Sequence, residues 1–429
     1  MKVYISLCLI SLVVTWLMVP LVRRLAVATH AMTKVRARDI HTVPTPRLGG
    51  LAMAAGAGVG LFVASHIPFL QPVFQDSNAI WGVAVAALFV TALGAVDDWY
   101  ELSWPTKLAG QVLAGGFLAW KGVQLITFPI AGLTIPSARL SLIATIVVVV
   151  AACNAINFTD GLDGLAAGLV AIGCTAFFVY SYLLSRQSNS ESYASLAALI
   201  LSVTVGACLG FLRYNWHPAK IFMGDSGSML LGMLFAAATI AVTGQTDPGS
   251  SAISQRQAFG ALLPILLPFA VLALPLLDMV LAVGRRMAKG LSPFHADKMH
   301  LHHRLLRLGH TQRRAAAIMY LWTAIPAFGG AGLAVLRARQ VAALMGTGLI
   351  LALILTFGPG GLVRRRRKGA KAAPDDAPAV PDDAPGVPGE VAGAAGVAEA
   401  AGVTAAADVA PVDGAEAAGV TAAEGGSDG

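Results

Sequence analysis

The chain has 429 residues, of which 56% are hydrophobic and only 12% are charged, and its mean hydropathy is +0.70. Soluble proteins carry about 25% charged residues, so this composition excludes a soluble globular enzyme and indicates a protein that crosses a membrane several times. The net charge of +7 is unevenly divided, because residues 369–429 hold one Lys and eleven acids, which leaves 29 basic and 12 acidic residues in residues 1–368. A basic membrane body favours anionic lipids or phosphorylated substrates, and the placement of its charges argues against nucleic acid.

Apolar segments long enough to cross a bilayer recur along the first 358 residues. A span needs about 20 apolar residues, and fewer when it is tilted or surrounded by protein. The sequence therefore predicts an all-α polytopic membrane protein with about eleven transmembrane helices. The predicted helices lie at 3–22, 48–68, 80–96, 107–121, 139–156, 164–184, 194–212, 227–243, 259–284, 315–336 and 341–358.

Lysine and arginine residues indicate the orientation of these helices, because they concentrate in cytoplasmic loops. Six lie between the first two predicted helices, eight run from Arg285 to Arg314, and the run RRRRK follows the last helix. Loops of the opposite parity contain few. We therefore expect the N-terminus outside and the C-terminus in the cytoplasm.

The sequence divides into two parts. Residues 1–363 are the predicted transmembrane domain, and residues 364–429 are a basic stop followed by an Ala-, Pro-, Gly- and acid-rich tail. The tail lacks aromatic and long aliphatic side chains, so it cannot bury enough apolar surface to offset its chain entropy. We expect it to be disordered.

Four polar stretches fall in loops of the predicted cytoplasmic parity, and the first is VDDWYELSWPTK. Asp97 and Asp98 end the third predicted helix, where adjacent negative charges oppose the helix dipole. A nearby divalent cation would reverse that balance, although an exposed polar loop is the alternative interpretation. Lys107, at the start of the next helix, either reaches the same anionic ligand or extends to the membrane interface.

The second stretch, NAINFTDGLDGLAAG, places Asn154, Asn157, Asp160 and Asp163 directly behind an apolar run. A carboxylate costs roughly 2.5–3.5 kcal/mol at the centre of an inserted helix, so such a cluster needs a reason. Capping of the next helix would explain one Asp but not the whole set. The cluster, with glycines that let a phosphate approach the backbone, predicts metal and phosphate chemistry.

The third stretch, FMGDSGS, places Asp225 between two glycines at the start of a helix. A carboxylate with two hydroxyls and free backbone amides suits a Mg²⁺ ion that keeps several waters and contacts substrate phosphates. A simple turn is the alternative. Asn215 and Phe222, in the same loop, could hold a planar base by a hydrogen bond and by stacking, with core packing as the alternative for Phe222.

The fourth stretch, HADKMHLHHRLLRLGH, is rich in His and Arg. No Cys accompanies His300, His302 and His303, and neighbours in this pattern cannot all face one ligand on a helix. Together with Arg304 they fit basic donors to a diphosphate better than a zinc site. A solvated basic loop is the alternative. Asp278, inside the ninth predicted helix, either pairs with a nearby arginine or lines the same cleft.

These four stretches, in this order and together with PTPRLGG at 44–50, resemble the polyprenyl-phosphate N-acetylhexosamine-1-phosphate transferase superfamily. The resemblance covers about residues 1–360. It implies transfer of a sugar 1-phosphate from a UDP-sugar to a polyprenyl phosphate, with release of UMP and a need for Mg²⁺, Mn²⁺ being an open substitute. A direct displacement and a covalent phospho-enzyme both fit the sequence.

The HADKMHLHH form is similar to the branch that uses UDP-N-acetylglucosamine to begin O-antigen, teichoic acid or arabinogalactan-linker synthesis. The branch that uses UDP-N-acetylmuramoyl-pentapeptide typically has three consecutive His, which Leu301 interrupts here. We therefore expect the UDP-N-acetylglucosamine branch. The pentapeptide donor is the first alternative, and a secondary transporter whose carboxylates bind a coupling ion is the second.

The resemblance also implies a role for each polar residue. The expected catalytic carboxylates are Asp97, which would deprotonate the acceptor phosphate, Asp98 beside it, and Asp160 and Asp163, which would position the nucleotide and the metal. Asp225 would bind the metal. Substrate contacts are expected from Lys107, Asn154, Asn157, Asn215, Phe222, His300, His302, His303 and Arg304.

The expected location is the bacterial inner membrane, with the site at its cytoplasmic face. There a lipid phosphate at the bilayer surface meets a nucleotide sugar from the cytosol. The expected partners are a UDP-sugar, a polyprenyl phosphate and the membrane, and a homodimer is left open.

Overall fold

The structure is a computed structural model of the chain. It describes residues 1–33, 44–75, 78–126, 137–187, 191–243, 258–288, 290 and 301–358. The predicted tail and the predicted domain boundary at residue 363 lie outside these ranges. Within them the regular elements are helical, apart from an isolated bridge between Met32 and Pro46.

The described residues form thirteen α-helices and one short 3₁₀ helix at Pro68–Leu70. The α-helices are α1 (Lys2–Ala28), α2 (Gly49–Ser65), α3 (Gln71–Gln75), α4 (Ala79–Tyr100), α5 (Trp104–Trp120), α6 (Ala138–Thr159), α7 (Leu165–Gln187), α8 (Glu191–Asn215), α9 (Gly224–Thr243), α10 (Ala258–Ala288), α11 (Leu301–Arg307), α12 (Gln312–Gly332) and α13 (Ala338–Phe357).

Each of the eleven predicted segments is helical in the structure, with α3 and α11 as additional short helices. Nine of the described helices are long and apolar enough to cross a membrane. A tenth span results if α2 and the chain that follows it to Gln75, bent by 93°, count together. Helix α5 has 17 residues and is short for a span. A polytopic helical membrane protein is therefore confirmed, while the count of eleven and the orientation of the termini stay predictions.

Helix α9 lies at the centre of the bundle, and 94% of its most apolar window is buried. It contacts α2, α4, α6 and α8. Its sequence combines small and apolar residues on every side, as expected for a helix that is surrounded by protein. Helix α13 packs on α12 and is mostly exposed, which fits a helix that faces lipid.

Two glycines let neighbouring helices approach the start of α9 closely. A Cβ atom on Gly94 of α4 would lie 2.5 Å from the carbonyl carbon of Asp225, and one on Gly50 of α2 would overlap the backbone of Gly227. Both obstacles are backbone atoms, so no side-chain rotation would relieve them. Small residues at such contacts are the usual means of close helix packing in membranes.

We expect Gly94→Ala to destabilise the protein by about 1–3 kcal/mol, because the added methyl group overpacks the contact between α4 and α9. Thermal unfolding of the purified protein in detergent measures this. Gly58→Ala is the matched control, since a Cβ atom there meets nothing within 4 Å. Equal unfolding temperatures for the two variants would contradict the close contact.

Candidate active site

The ends of four helices meet at one end of the bundle. Helices α4 and α6 end there, whereas α5 and α9 begin there, and they contact one another as α4–α5, α5–α6, α6–α9 and α4–α9. This arrangement brings together side chains from the first three polar stretches of the sequence. We call Asp97, Lys107, Asn157 and Asp225 the central cluster.

Lys107 joins two carboxylates of the central cluster. Its Nζ atom donates to Asp225 Oδ2 at 2.9 Å and to Asp97 Oδ2 at 3.3 Å. Asn157 Nδ2 donates to the other oxygen of Asp225 at 2.9 Å and to Ser228 Oγ at 3.0 Å. Asp225 is thus held from both sides, by a cation from α5 and by an amide from α6.

The two carboxylate oxygens of Asp97 differ in their contacts. Its Oδ1 atom is buried and has no hydrogen-bond partner among the described residues. Leaving a buried carboxylate oxygen without a donor is costly unless a ligand supplies the missing contact. This oxygen is therefore well placed to accept a proton or to contact a cation.

Asp98 has a different environment, because it caps the start of α9. Its Oδ1 atom accepts from the backbone N–H of Asp225 at 2.9 Å, and Oδ2 accepts from the backbone N–H of Ser226 at 3.2 Å and from its hydroxyl at 2.9 Å. Gly224, with φ of +69°, leaves no room for a Cβ atom beside this carboxylate. The first N–H groups of a helix lack internal acceptors and favour negative charge. Asp98 therefore holds the backbone of Asp225, while its expected catalytic role stays a prediction.

Asn154 lies one turn deeper in α6 than Asn157. Its Nδ2 atom donates to Gln111 Oε1 at 2.7 Å and to Val150 O at 2.8 Å. The bond to Gln111 ties α6 to α5, the helix that carries Lys107. The structure thus gives Asn154 a supporting contact, and its expected contact with substrate stays a prediction.

Residues 160–164 form the turn between α6 and α7, and hydrogen bonds tie this turn to the segment between α8 and α9. Asp163 Oδ2 accepts from the backbone N–H of Ala219 at 3.0 Å and contacts His217 Nδ1 at 2.7 Å. The backbone N–H of Gly164 donates to Asn215 Oδ1 at 3.0 Å. The second and third polar stretches of the sequence therefore form one connected unit.

Asn215 and Phe222, which the sequence assigns to a planar base, both make contacts within the protein. Asn215 is buried, and its Nδ2 atom donates to Ile221 O at 2.9 Å. The backbone N–H of Phe222 donates to Pro46 O at 2.8 Å, and its carbonyl accepts from Gly49 N at 3.0 Å. Because the Asn215 amide is used on both sides, base binding by these two residues stays a prediction.

Asp160 lies between the central cluster and the rest of the 160–164 turn, and its residue surface is partly exposed. Burial of its carboxyl group and then the negative charge of Asp225 raise its pKa to about 7, against the opposing positive charge of Arg47. This carboxyl group therefore lies where a positive charge is favoured.

The fourth polar stretch is described in part. His300 and the side chains of His302 and His303 lie outside the described residues, and Arg304 on α11 is exposed. Asp278 of α10 is fully buried, and its Oδ1 atom accepts from the backbone N–H at the start of α11 at 2.9 Å. Contact of this stretch with a diphosphate stays a prediction.

Three residues that the sequence analysis does not identify also hold the site. Arg313 of α12 donates from Nη2 and Nε to the carbonyl of His217, at 2.9 and 3.2 Å. Tyr320 of α12 donates its hydroxyl to the carbonyl of Gly164 at 2.6 Å. His217 lies in the segment between α8 and α9 that leads to Asp225, which could have drawn attention to it. The two residues of α12 belong to no recognisable pattern.

The arrangement fits a weakly held cation better than a complete metal cage. Among the described residues no group of three or more Asp, Glu, His or Cys side chains has the spacing of a metal site. The central cluster instead offers the carboxylates of Asp225 and Asp97, including the buried Asp97 oxygen that lacks a donor. Mg²⁺ typically takes one or two carboxylates and completes its shell with water and substrate phosphates. The residues present are therefore compatible with Mg²⁺.

Known proteins are similar in sequence to the part of this chain that contains the central cluster. The family described as glycosyl transferase family 4 matches residues 80–243, which contain the central cluster. The decaprenyl-phosphate N-acetylglucosaminephosphotransferase of Mycolicibacterium smegmatis is 42% identical over 85% of this chain and 89% of its own. A probable undecaprenyl-phosphate N-acetylglucosaminyl 1-phosphate transferase of Bacillus subtilis is 31% identical over 73% and 80% of the two chains. The phospho-N-acetylmuramoyl-pentapeptide-transferase of Desulforudis audaxviator is 31% identical, over 54% of this chain and 73% of its own.

Substitution by Asn should affect the free energy of unfolding differently at Asp97 and at Asp98. We expect Asp98→Asn to lower the free energy of unfolding by about 1–3 kcal/mol, because its new NH₂ group cannot accept from the start of α9. Asp97→Asn should change it by less than about 1 kcal/mol, because losing the contact with Lys107 is offset by weaker repulsion from Asp225. Thermal unfolding of both variants in detergent tests this. Equal destabilisation would contradict the separate roles.

Proposed function

The chain belongs to the superfamily that its motifs resemble, the polyprenyl-phosphate N-acetylhexosamine-1-phosphate transferases of glycosyl transferase family 4, and from this premise we propose its reaction. It transfers N-acetylglucosamine 1-phosphate from UDP-N-acetylglucosamine to a polyprenyl phosphate. The products are polyprenyl-diphospho-N-acetylglucosamine and UMP, and the step begins a cell-envelope glycopolymer. The observation that carries the proposal is the pair of carboxylates joined by Lys107 within the matched region.

Phosphoryl transfer depends on positioning and charge neutralisation more than on covalent help from the protein. Lys107 supplies a positive charge at the centre of the site, and its side chain is 28% exposed, so a diphosphate can reach it. Asp97 would accept a proton from the acceptor phosphate, since no donor among the described residues satisfies its Oδ1 atom. An oxygen of the acceptor phosphate then bonds to the sugar-linked phosphorus of the donor as the bond to UMP breaks.

We further propose that the reaction uses Mg²⁺, with Mn²⁺ as a substitute, held by Asp225 with Asp97 beside it. When bound, the cation offsets negative charge that builds up on the phosphate oxygens. Asn157 and Lys107 would keep the Asp225 carboxylate oriented. Asp98 contributes indirectly, because it fixes the backbone of Asp225.

The side chains around the loop between α4 and α5 support access for a lipid. Trp99, Tyr100 and Trp104 are exposed beside Asp97 and Lys107. Trp and Tyr are enriched where a membrane meets water, so the central cluster is expected near the bilayer surface. From the distribution of Lys and Arg we propose that this end lies at the cytoplasmic face of the inner membrane, where a UDP-sugar is available. A homodimer stays an expectation.

The alternatives differ in support. A relative that uses the muramoyl-pentapeptide matches 54% of this chain, against 85% for the relative from M. smegmatis, so the pentapeptide donor is the weaker choice. The transporter alternative is dropped, because the relatives matched over most of their length are named as phosphotransferases.

We expect the purified full-length protein to release UMP from UDP-N-acetylglucosamine when polyprenyl phosphate and Mg²⁺ are both present. Omitting the lipid or adding EDTA should abolish the release, and added Mg²⁺ should restore it. Parallel assays with UDP-N-acetylmuramoyl-pentapeptide compare the donors. Transfer from the pentapeptide donor alone would overturn the proposed substrate.

We expect Asp225→Asn, which removes the proposed cation ligand, and Lys107→Met, which removes a positive charge, to lower kcat at least about 100-fold each. Lys121→Met is the matched control. Lys121 lies at the far end of α5, where its ammonium group is 4.6 Å from the centroid of the Trp120 ring. Radiolabelled transfer to the lipid measures kcat. Near-normal turnover in either test variant would exclude that residue from the site.

A further inference from the structure

A buried carboxylate and a partly exposed histidine meet outside the central cluster. The side chain of Asp163 is 0% exposed and that of His217 is 34% exposed, and Asp163 Oδ2 lies 2.7 Å from His217 Nδ1. A carboxylate oxygen accepts hydrogen bonds, so Nδ1 carries the proton in this contact. Such charge-assisted bonds are stronger than neutral ones, and the carboxylate end is shielded from water.

Helix α12 holds both sides of this contact. Arg313, in the first turn of α12, donates twice to the carbonyl of His217. Tyr320, two turns further along, donates to the carbonyl of Gly164, next to Asp163. The histidine and the 160–164 turn are therefore fixed against the same helix.

The 160–164 turn is connected to the central cluster through α6. Asn157, in the last turn of α6, donates to Asp225 Oδ1 at 2.9 Å. Asp160 follows at the end of the helix, close enough for the charge of Asp225 to act on it. A shift of the turn would therefore move groups that border Asp225.

We propose that His217 is a positioning residue for the nucleotide donor. Its Nδ1–H group donates to Asp163, and Arg313 donates to its carbonyl. Together these hydrogen bonds keep the 160–164 turn in place beside Asp225. The contact lies in the segments that join α6 to α7 and α8 to α9, outside the apolar helices, which favours a water-soluble nucleotide over a prenyl chain as the substrate concerned. This inference rests on the proposed transfer reaction.

A pair of substitutions separates the hydrogen bond from the bulk of the ring. In His217→Asn the side-chain NH₂ group lies near the position of Nδ1, whereas in His217→Gln it lies near that of Nε2. We expect the Gln variant to raise the KM for UDP-N-acetylglucosamine about tenfold, the usual size for one lost bond to a charged group. The Asn variant should stay within about threefold of the wild type for the same reason. The KM for polyprenyl phosphate should not change in either.

Arg313→Gln tests the second contact and should raise the same donor KM. Arg314→Gln is its matched control, because Arg314 is the neighbouring residue and is likewise exposed, and this variant is expected to keep the wild-type donor KM. Unfolding temperatures identify any variant that does not fold. If a His217 variant does not fold, the comparison of Arg313→Gln with Arg314→Gln tests the proposal instead. Equal donor KM values for the two His217 variants, or a fall in kcat alone, would overturn the proposal.

Calorimetric titration of UMP into each full-length variant separates this inference from the proposed function. Weaker UMP binding by His217→Gln, restored in His217→Asn, supports the positioning role even without transfer to the lipid. UMP binding that is equal in both variants and the wild type overturns it. Failure of the wild type to transfer from any donor would instead overturn the proposed function. Failure of the wild type to bind UMP would overturn both the proposed function and the role of His217.

Discussion

The site depends on the compensation of negative charge by a lysine and by backbone N–H groups. Asp97, Asp98 and Asp160 each lie close enough to Asp225 for its negative charge to act on them, and like charges near the end of a membrane bundle repel strongly. Lys107 offsets two of them, and the start of α9 offsets a third through Asp98. The remaining negative charge is the basis of the proposed Mg²⁺ site, because a cation there would in turn attract the phosphates of a substrate.

Close helix packing makes that compensation possible. The start of α9 reaches the carboxylates because Gly50, Gly94 and Gly224 carry no Cβ atoms at the points of contact. A larger residue at any of the three would separate backbones or displace Asp98. The compensation of charge at the site therefore depends on the packing of the bundle, because each small residue permits a particular hydrogen bond.

The residues of the site also differ in how their side chains are held, and these differences fit the proposed phosphoryl transfer. Asp225 and Lys107 are oriented by neighbours on other helices, while Asp97 keeps an oxygen that no described donor satisfies. The contacts of α12 with His217 and Gly164 hold the loops around this centre. Preorganised charges of this kind suit a reaction in which positioning and neutralisation do most of the work.

Much of this protein was predictable from local sequence. Apolar runs determined the helices, because burying them in lipid is favourable whatever their neighbours. The four polar stretches identified the family, and the first three contain the residues of the central cluster, whose roles stay predictions. The residue pattern did not reveal that Asp98 caps α9 while Asp97 meets Lys107, since adjacent positions on a helix point in different directions and the rotation of α4 decides which one meets α9. His217, Arg313 and Tyr320 also escaped prediction, because two of their contacts are to backbone carbonyls, which any sequence provides. Those assignments came from tertiary structure alone, because they depend on how the helices are rotated and how closely they pack.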